Sequence, residues 1–383
     1  MNAKGAKASK AKAAARAKPA AKAAAKTAPP KGTSKSAVKA PQGQATSKQA
    51  AKLPDTGFHG QPGPLSPLSD RDPISAHDPH ISYPHKPVRS IGAVAFAGNM
   101  APALDLLSRW AEENPSIHVY TNDYLKSFAR GNLKPKPDSF LRSQVDLVLS
   151  LGGDGTFLSA ARMLRGSATP VLGVNLGRVG FLADVTLENL HRILDEILRR
   201  EYSYRRRMLV EVDVYRGNEC LLQDMALNDV AFTGQMGHQM VDLRVTAQGR
   251  FLTDYWVDGL LVSTPTGSTA YSLSAGGPIL HPSADSLLLT PMNPTSLSVR
   301  PLILPDYMQI SVRSNLGRHQ EVNMFVDGRN QFNLKPEHTV LIRKHKAGVV
   351  LVRPKGSSFF ESLRSKLGWT GSRKSRDTVG GIP

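Results

Sequence analysis

The chain has 383 residues, a formal net charge of +18 and one cysteine. One cysteine excludes an internal disulfide and a cysteine-based zinc site, and it favours a reducing compartment, so we expect a cytoplasmic protein. Neither the apolar core of a signal peptide nor an apolar run of about 18 residues occurs, so we expect no secretion and no membrane partner.

The first 88 residues differ in composition from the rest of the chain. They hold 15 basic and 4 acidic residues, and so contribute 11 of the net positive charges. Residues 1–38 contain no Leu, Ile, Phe, Trp or Tyr, and residues 54–87 are dense in Pro, Gly, Ser and His. Because such a segment has little to bury, we expect 1–88 to be a disordered Ala/Lys-rich arm followed by a Pro-rich linker.

The basic part of this arm, residues 1–52, has two interpretations. It is either a solvated, solubilising tail or a segment that binds polyanions without sequence preference, since blocks of like charge often contact nucleic acid. Composition favours neither interpretation over the other. A transit peptide is disfavoured, because the arm is rich in Lys rather than Arg and lacks bulky apolar residues.

A Rossmann-like α/β domain is expected over residues 89–207. Short apolar runs typical of buried parallel strands occur at Ser90–Phe96, Ile117–Tyr120, Val145–Leu151 and Val171–Val174. Helical spacing of apolar residues recurs at Leu104, Leu107, Trp110 and Ala111, and again at Leu190, Ile193, Leu194 and Ile197. Strands that alternate with helices predict a parallel, doubly wound sheet, whose ligands bind beyond the carboxyl ends of the strands.

The hydrophobic period changes at Met208. From there, short apolar runs, several of them alternating with polar residues, occur at 208–215, 241–245, 310–312, 322–326, 340–342 and 349–352. Such runs, separated by turn residues, predict an antiparallel β-sandwich, which we assign to residues 208–355. Residues 356–383 are predicted to contain an amphipathic helix at Phe359–Trp369 and then a loose basic tail from Gly371.

A glycine-rich motif follows the third predicted strand and reads Gly152-Gly153-Asp154-Gly155-Thr156. Glycines let the backbone turn sharply and approach a ligand closely, and the helix that follows offers unpaired N–H groups suited to a phosphate. Thr156 is the expected cap of that helix. The motif is neither a P-loop nor a Gly-x-Gly-x-x-Gly fingerprint, so it predicts a nucleotide-phosphate site of another kind in preference to plain turn chemistry.

A second unusual segment runs from Asp258 to Gly277 and is dense in Ser, Thr and Gly. An acid at the start of a strand leads into a turn rich in small hydroxyls, which forms a surface of hydrogen-bond donors for a sugar or phosphate. No Gly-x-Ser-x-Gly elbow occurs, so an esterase is disfavoured. Upstream, Asn228 and Asp229 place two polar groups inside an apolar run, where they either meet a ligand or cap a turn.

These motifs, in this order and at similar spacing, resemble those of the bacterial NAD kinase family. The resemblance is carried by Gly152–Thr156, Gly180–Asp184, Asn228-Asp229 and Asp258–Gly277, and it covers about residues 90–370. The first motif is shared with diacylglycerol kinases, sphingosine kinases and 6-phosphofructokinases. The last is much more specific to NAD kinases.

The resemblance implies transfer of the ATP γ-phosphate to the 2′-hydroxyl of the adenosine ribose of NAD, giving NADP. It also implies that the C-terminal helix of residues 356–383 returns to the first domain. Mg²⁺ or another divalent metal would be bound mainly through the phosphates. We also expect a homo-oligomer, either a dimer or a tetramer. Asp154 would hold the ribose and act as the catalytic base. The residues implied to bind NAD and ATP are Gly153, Asp154, Gly155, Thr156, Phe181, Asn228, Asp229, Asp258, Thr266, Thr269, Ala270, Tyr271 and Ser274.

Two positions depart from the family pattern, and the sequence leaves two alternative functions. Many members have Glu in place of Asp229, and Trp256 lies where members differ and where donor choice is influenced, so ATP and polyphosphate both stay open as donors. A lipid kinase of the shared superfamily would need an apolar cleft or membrane-facing patch, which the sequence does not show. A polyanion-binding protein would act through the basic arm.

Overall fold

A computed structural model describes residues 81–82, 86–177, 180–234, 240–315 and 322–369. The loose tail and nearly all of the arm predicted to be disordered and to bind polyanions lie outside these residues. The last part of that arm is ordered, because Ile81–Ser82 (β1) pair with a later strand and Val88 is buried in the first apolar core. The prediction that the chain is disordered through residue 88 is therefore wrong at these positions.

The first layer is a mixed sheet that contains nine strands in the described ranges. Besides β1, it contains β2 (Ser90–Val94), β3 (His118–Thr121), β4 (Lys134–Pro135), β5 (Leu147–Leu151), β6 (Val171–Asn175), β7 (Ala183–Thr186), β8 (Tyr202–Arg207) and β21 (Val349–Pro354). The order is β1-β8-β21-β6-β5-β2-β3-β4, and β7 pairs with β6. The pairs from β4 through β6 to β21 are parallel, as predicted for an α/β sheet.

Helices cover both faces of this sheet because its central strands are apolar on both sides. The flanking helices are α1 (Ala101–Glu113), α2 (Asp138–Ser143), α3 (Asp154–Met163) and α4 (Leu187–Leu198). Leu147 and Leu149 of β5 pack in a cluster with α1 and α4, whereas Val148 packs in a second cluster with α2 and α3. This alternation is the period of two that a strand imposes on its side chains.

The second domain consists of two antiparallel sheets, each of six strands in the described ranges. One contains β9 (Val210–Arg216), β10 (Glu219–Ala226), β12 (Val241–Ala247), β13 (Arg250–Val257), β17 (Ile310–Ser314) and β20 (His338–Lys344). The other contains β11 (Asp229–Gly234), β14 (Gly259–Ser263), β15 (Ser286–Met292), β16 (Leu302–Pro305), β18 (Val322–Val326) and β19 (Arg329–Leu334). Val212 of one sheet and Phe232 of the other lie in one shared core, so the predicted sandwich is confirmed.

One strand assigned to the sandwich belongs instead to the first sheet. β21 lies between β8 and β6, parallel to β6 at Leu351 and antiparallel to β8. Its burial is nearly continuous rather than alternating, which is typical of a central strand covered on both faces. After β21 the chain forms α6 (Phe359–Leu367), so the C-terminal segment returns to the α/β layer. Among the described helices, none is both long and apolar enough to cross a membrane.

Candidate active site

The turn between β5 and α3 places the Asp154 side chain beyond the carboxyl end of a central strand. β5 ends at Leu151, and α3 begins at Asp154 with Gly153 in the cap position. Thr156 as the helix cap is therefore wrong, because the chain bends earlier, at Gly152, where φ is 148°. A Cβ at position 152 would also lie 2.3 Å from Thr156 Oγ1, so this turn requires glycine.

Three backbone amides hold the carboxylate of Asp154. They belong to the loop between β6 and β7, whose residues 180–183 we call the clamp loop. Oδ2 accepts a hydrogen bond from Phe181 N at 2.8 Å, and Oδ1 accepts from Leu182 N and Ala183 N, both at 3.0 Å. An ionised carboxylate offers about four acceptor positions, so one position on Oδ2 is left for another donor.

Gly180 lets the clamp loop approach the carboxylate closely. A Cβ at this position would lie 1.9 Å from Asp154 Oδ1 and 2.3 Å from its Cγ. By contrast, a Cβ at Gly177, earlier in the same connection, would meet nothing closer than Asn175 Oδ1 at 4.0 Å. The site therefore requires glycine at position 180, whereas position 177 has room for a methyl group.

Two acidic residues of the sandwich, Asp229 at the start of β11 and Asp327, line one side of a cleft. Asn228 and Asp229 line a cleft of about 690 Å³ together with Asp327, which lies in the turn between β18 and β19. Oδ1 of Asp327 accepts hydrogen bonds from the amides of Asn228 at 2.8 Å and Asp229 at 3.2 Å, and Oδ2 accepts from the amide of Leu227 at 2.9 Å. Asp327 was not among the predicted site residues, although the Asp-Gly pair there is a strong hairpin signal.

Asp229, which is buried, and Asp327, which is partly exposed and lines both clefts, form a pair of neighbouring carboxyl groups. Burial, together with the neighbouring Asp327 carboxylate, raises the pKa of Asp229 to about 7. Burial also raises the pKa of Asp327, against three amide hydrogen bonds that lower it. Because those amides stabilise the ionised form of Asp327, we assign the proton that the pair retains to Asp229.

The Ser/Thr-rich segment packs its backbone against Asn228. Thr264 N donates to Asn228 O at 2.9 Å, and a Cβ at Gly267 would lie 2.0 Å from the same oxygen. A short 3₁₀ turn at Gly267–Thr269 and a single helical turn, α5 (Tyr271–Ser274), follow. This close packing carries Ala270 and Tyr271 into the lining of the same cleft.

The structure brings together some of the predicted binding residues and not others. Asp258 lines the 690 Å³ cleft and accepts a hydrogen bond on Oδ2 from Asn293 Nδ2 at 2.9 Å. The hydroxyl of Thr269 donates instead to Thr266 O at 3.1 Å, Thr266 is buried beneath the turn, and Ser274 is exposed at the end of α5. Residues that line this cleft without having been predicted include Leu158, Met292, Asn293, Phe325 and Asp327.

A second cleft, of about 660 Å³, adjoins the first and shares Leu158 and Asp327 with it. Gly155 of the glycine-rich turn lines this cleft. Gly153 precedes Asp154 and Thr156 follows it by two residues in α3, whereas Phe181 donates its backbone N–H to the Asp154 carboxylate. The cleft also contains three basic side chains, Arg142, Arg162 and Arg329. One guanidinium group can donate two parallel hydrogen bonds to two phosphate oxygens, so this cleft is chemically suited to a polyphosphate.

A buried carboxylate pairs with two of the three arginines of the second cleft. Asp224 is buried, and its Oδ2 lies 3.7 Å from Arg162 and 3.5 Å from Arg329. Arg165 forms a further ion pair with Oδ1. Three arginines around one carboxylate leave a local excess of positive charge. Two of them, Arg162 and Arg329, line the cleft, together with Arg142 and the acids Asp138 and Asp327.

The raised pKa of Asp229 predicts a pH dependence of stability. Because the folded-state pKa is about 7 against 3.8 for the unfolded carboxyl, the folded protein retains a proton that the unfolded chain releases. The free energy of unfolding should therefore fall as pH rises from about 4 to 7, by at most about 1.4 kcal/mol per pH unit for this group. Denaturant titrations across this range should show a shallower fall for Asp229→Asn.

Asp105→Asn, on the exposed side of α1, controls for the loss of one negative charge. If Asp229→Asn kept the wild-type slope while Asp105→Asn did the same, Asp229 would not hold the proton.

Comparison with protein families matches both halves of the chain. The model of the ATP-NAD kinase N-terminal domain matches residues 104–202, and that of the ATP-NAD kinase C-terminal domain matches residues 227–353. An NAD kinase from Ralstonia nicotianae is 36% identical over 290 residues, which are 76% of this chain and 95% of the relative. An NAD kinase from Acidovorax ebreus is 42% identical over 226 residues, which are 59% of this chain and 75% of the relative.

Solved structures agree with this match. A yeast NADH kinase complexed with NADH superposes with a TM-score of 0.68 at 25% identity, covering 77% of this chain and 91% of that one. An NAD kinase from Archaeoglobus fulgidus in complex with ATP has the same fold, with a TM-score of 0.57 at 23% identity, covering 74% and 100%. The chain belongs to the ATP-NAD kinase family, and its activity is that of an NAD kinase.

Proposed function

We propose that NAD binds in the 690 Å³ cleft and that Asp154 directs its adenosine ribose toward ATP. The observation that carries this assignment is the remaining acceptor position on Asp154 Oδ2, at the start of the helix whose Leu158 lines a cleft with groups suited to sugars. The yeast relative was solved with NADH, which supports a dinucleotide as the ligand. The family name supports ATP as the phosphate donor.

Each wall of the NAD cleft offers a distinct contact. The carboxyl groups of Asp229 and Asp258 and the amide of Asn228 are suited to ribose hydroxyls and to the nicotinamide amide, because these ligand groups donate and accept hydrogen bonds. Tyr271 is half-exposed at the cleft and offers an aromatic surface for a base. Thr266, Thr269 and Ser274 shape the turn behind it, and we assign them to support of the wall.

Asp154 orients the 2′-hydroxyl and removes its proton late in the reaction. The hydroxyl oxygen attacks the γ-phosphorus of ATP, the bond from that phosphorus to the β,γ-bridging oxygen breaks, and ADP leaves. The hydroxyl proton passes to the Asp154 carboxylate. Phosphoryl transfer is usually loose, so positioning and charge stabilisation contribute more than early proton removal, and a carboxylate is a sufficient base.

We place the ATP phosphates in the second cleft. Gly155 and the first turn of α3 offer backbone N–H groups there, and Arg142, Arg162 and Arg329 offer guanidinium donors. The clefts share Leu158 and Asp327, so a phosphate in one and a ribose in the other would be neighbours.

A divalent metal, Mg²⁺ in our proposal, is carried by the nucleotide rather than by a protein cage. No group of three or more His, Cys, Asp or Glu side chains that could hold a metal ion occurs within the residues that the structure describes. Mg²⁺ is commonly held by phosphate oxygens, water and one or two carboxylates. When bound, the metal would offset the negative charge of the triphosphate.

We further propose a cytoplasmic homo-oligomer, dimeric or tetrameric. The single cysteine supports the compartment. An exposed apolar edge of the sandwich supports the oligomer, since Trp256 of β13 is 48% exposed, Ile303 of β16 is 48% exposed and Leu297 is 89% exposed. Both strands are edges of their sheets, and apolar edges are commonly buried between subunits.

Asp154→Asn should lower NADP formation by about 10²–10⁴, the usual contribution of a positioned acid–base group. Asp146→Asn is the matched control, because Asp146 stands before the other end of β5 and also accepts three hydrogen bonds, from Arg89 N, Ser90 N and Ser90 Oγ. Turnover is measured with NAD, ATP and Mg²⁺, with circular dichroism to check folding. Near wild-type turnover in the Asp154 variant would contradict the proposed base.

Gly180→Ala should lower kcat by about 10²-fold while Asp154 stays chemically intact, because a Cβ there displaces the carboxylate and misplaces the ribose hydroxyl. Gly177→Ala, where the nearest atom lies at 4.0 Å, is the control and should keep wild-type kcat. Equal activity of the two variants would show that turnover does not depend on the close approach of the clamp loop.

The basic arm is proposed to bind polyanions independently of catalysis. Residues 1–52 hold 13 basic and no acidic side chains. Removing residues 1–80 should leave kcat and the KM for NAD nearly unchanged, since β1 and the fold that follows are kept. Full-length protein should bind duplex DNA with an affinity that falls steeply between about 50 and 200 mM salt, and the truncated protein should not. The same salt slope in both proteins would make the arm a solubilising tail.

A further inference from the structure

The C-terminal helix α6 brings one lysine to the clamp loop. Lys366 Nζ lies 4.3 Å from the centroid of the Phe181 ring. Phe181 is the residue whose amide donates to Asp154 Oδ2 at 2.8 Å. One side chain of α6 therefore contacts the loop that holds the proposed catalytic base, although the two are far apart in sequence.

The ammonium group of Lys366 is buried and has no hydrogen-bond partner among the described residues. A buried cation without such partners is costly unless other groups compensate. Two kinds of group do so here: the electron-rich face of the Phe181 ring, and the carboxylates of Asp154 and Asp184. Arg364 of the same helix shows the contrast, because it is exposed.

Charged groups of the sheet and of the neighbouring helices lie close to this lysine. Arg353 of β21 forms an ion pair with Asp184, with Nη1 and Oδ2 2.5 Å apart, and so competes for one of the carboxylates. Lys366 and Asp184 also line a cleft of about 340 Å³. Further charged side chains of α4, α6 and the turn before α6 line the same cleft, namely Arg192, Lys355 and Glu361. Burial lowers the pKa of Lys366, Asp154 and Asp184 raise it, and Arg353 lowers it.

We propose that Lys366 is a positioning residue for phosphoryl transfer: its ammonium stacks on Phe181 and attracts Asp154, and so holds the clamp loop and the carboxylate in register. The proposal rests on the proposed role of Asp154. In this arrangement α6 is part of the catalytic apparatus, and the return of the chain through β21 serves to deliver it. Removing the positive charge should loosen the loop and misplace the ribose hydroxyl.

The test compares Lys366→Met, Lys366→Arg and the matched control Arg364→Met, which removes a cation from the exposed face of the same helix. Lys366→Met should lower kcat about ten- to a hundredfold with a smaller change in the KM for NAD, because a misplacement of about 1 Å can cost 10²-fold in rate. Lys366→Arg, which keeps the cation, should restore most of kcat. Arg364→Met should match the wild type.

A pH profile distinguishes positioning by charge from simple packing. The lysine loses its proton at a lower pH than a solvated lysine, because burial lowers its pKa, whereas arginine stays protonated. The alkaline fall in kcat should therefore move to higher pH in Lys366→Arg. An unchanged alkaline limb would overturn the proposal, and it decides the matter even if Lys366→Met does not fold.

A double-mutant cycle tests the path through the ring. If Lys366 acts through Phe181, the cost of Lys366→Met in a Phe181→Leu background should be much smaller than in the wild type. Fully additive costs would overturn this path. Failure of the wild-type protein to form NADP would instead contradict the proposed function itself, so the two failures are separable.

Discussion

The hydrogen bonds between the Asp154 carboxylate and the clamp loop are the constraint on which the rest of the site depends. They join the β5–α3 turn to the β6–β7 connection, and both segments leave neighbouring parallel strands at the same edge of the sheet. The join tolerates no side chain at Gly180 and forces a sharp bend at Gly152. Two glycines are therefore needed to position one carboxylate: Gly152 for the bend and Gly180 for the close approach of the clamp loop.

The path of the chain between the α/β domain and the sandwich also serves this site. The sandwich is inserted between β8 and β21, two strands that pair with each other in the first sheet. The insertion carries Asp229 and Asp327 toward the helix α3, whose Leu158 lines both clefts. The return through β21 then delivers α6 to Phe181. Residues of the sandwich and the helix that follows it are thus both brought to the site beside α3.

Local patterns predicted much of this architecture, and non-local contacts account for what they missed. Burial of Leu104 and Trp110 follows from helical spacing, and the glycine-rich turn follows from its sequence. The partner of β21 was missed because an apolar run of four residues does not reveal which sheet it enters. Asp327 and Lys366 were missed because each acts on a segment distant in sequence, and no local signal distinguishes them from a turn residue and a solvated lysine.

A site for two anionic nucleotides that contains several carboxylates requires a physical explanation, and the uneven distribution of the arginines between the two clefts provides one. Among the described residues, the arginines that line the two clefts, Arg142, Arg162 and Arg329, all lie in the cleft beside the glycine-rich turn, which Asp138 and Asp327 also line. The cleft with Tyr271 is lined by Asp229, Asp258 and Asp327, to which sugar hydroxyls can donate. The raised pKa of Asp229 keeps one of those acids partly neutral near pH 7. Because a protonated carboxyl donates as well as accepts, the same wall can meet a ribose hydroxyl in either sense and repel the pyrophosphate less.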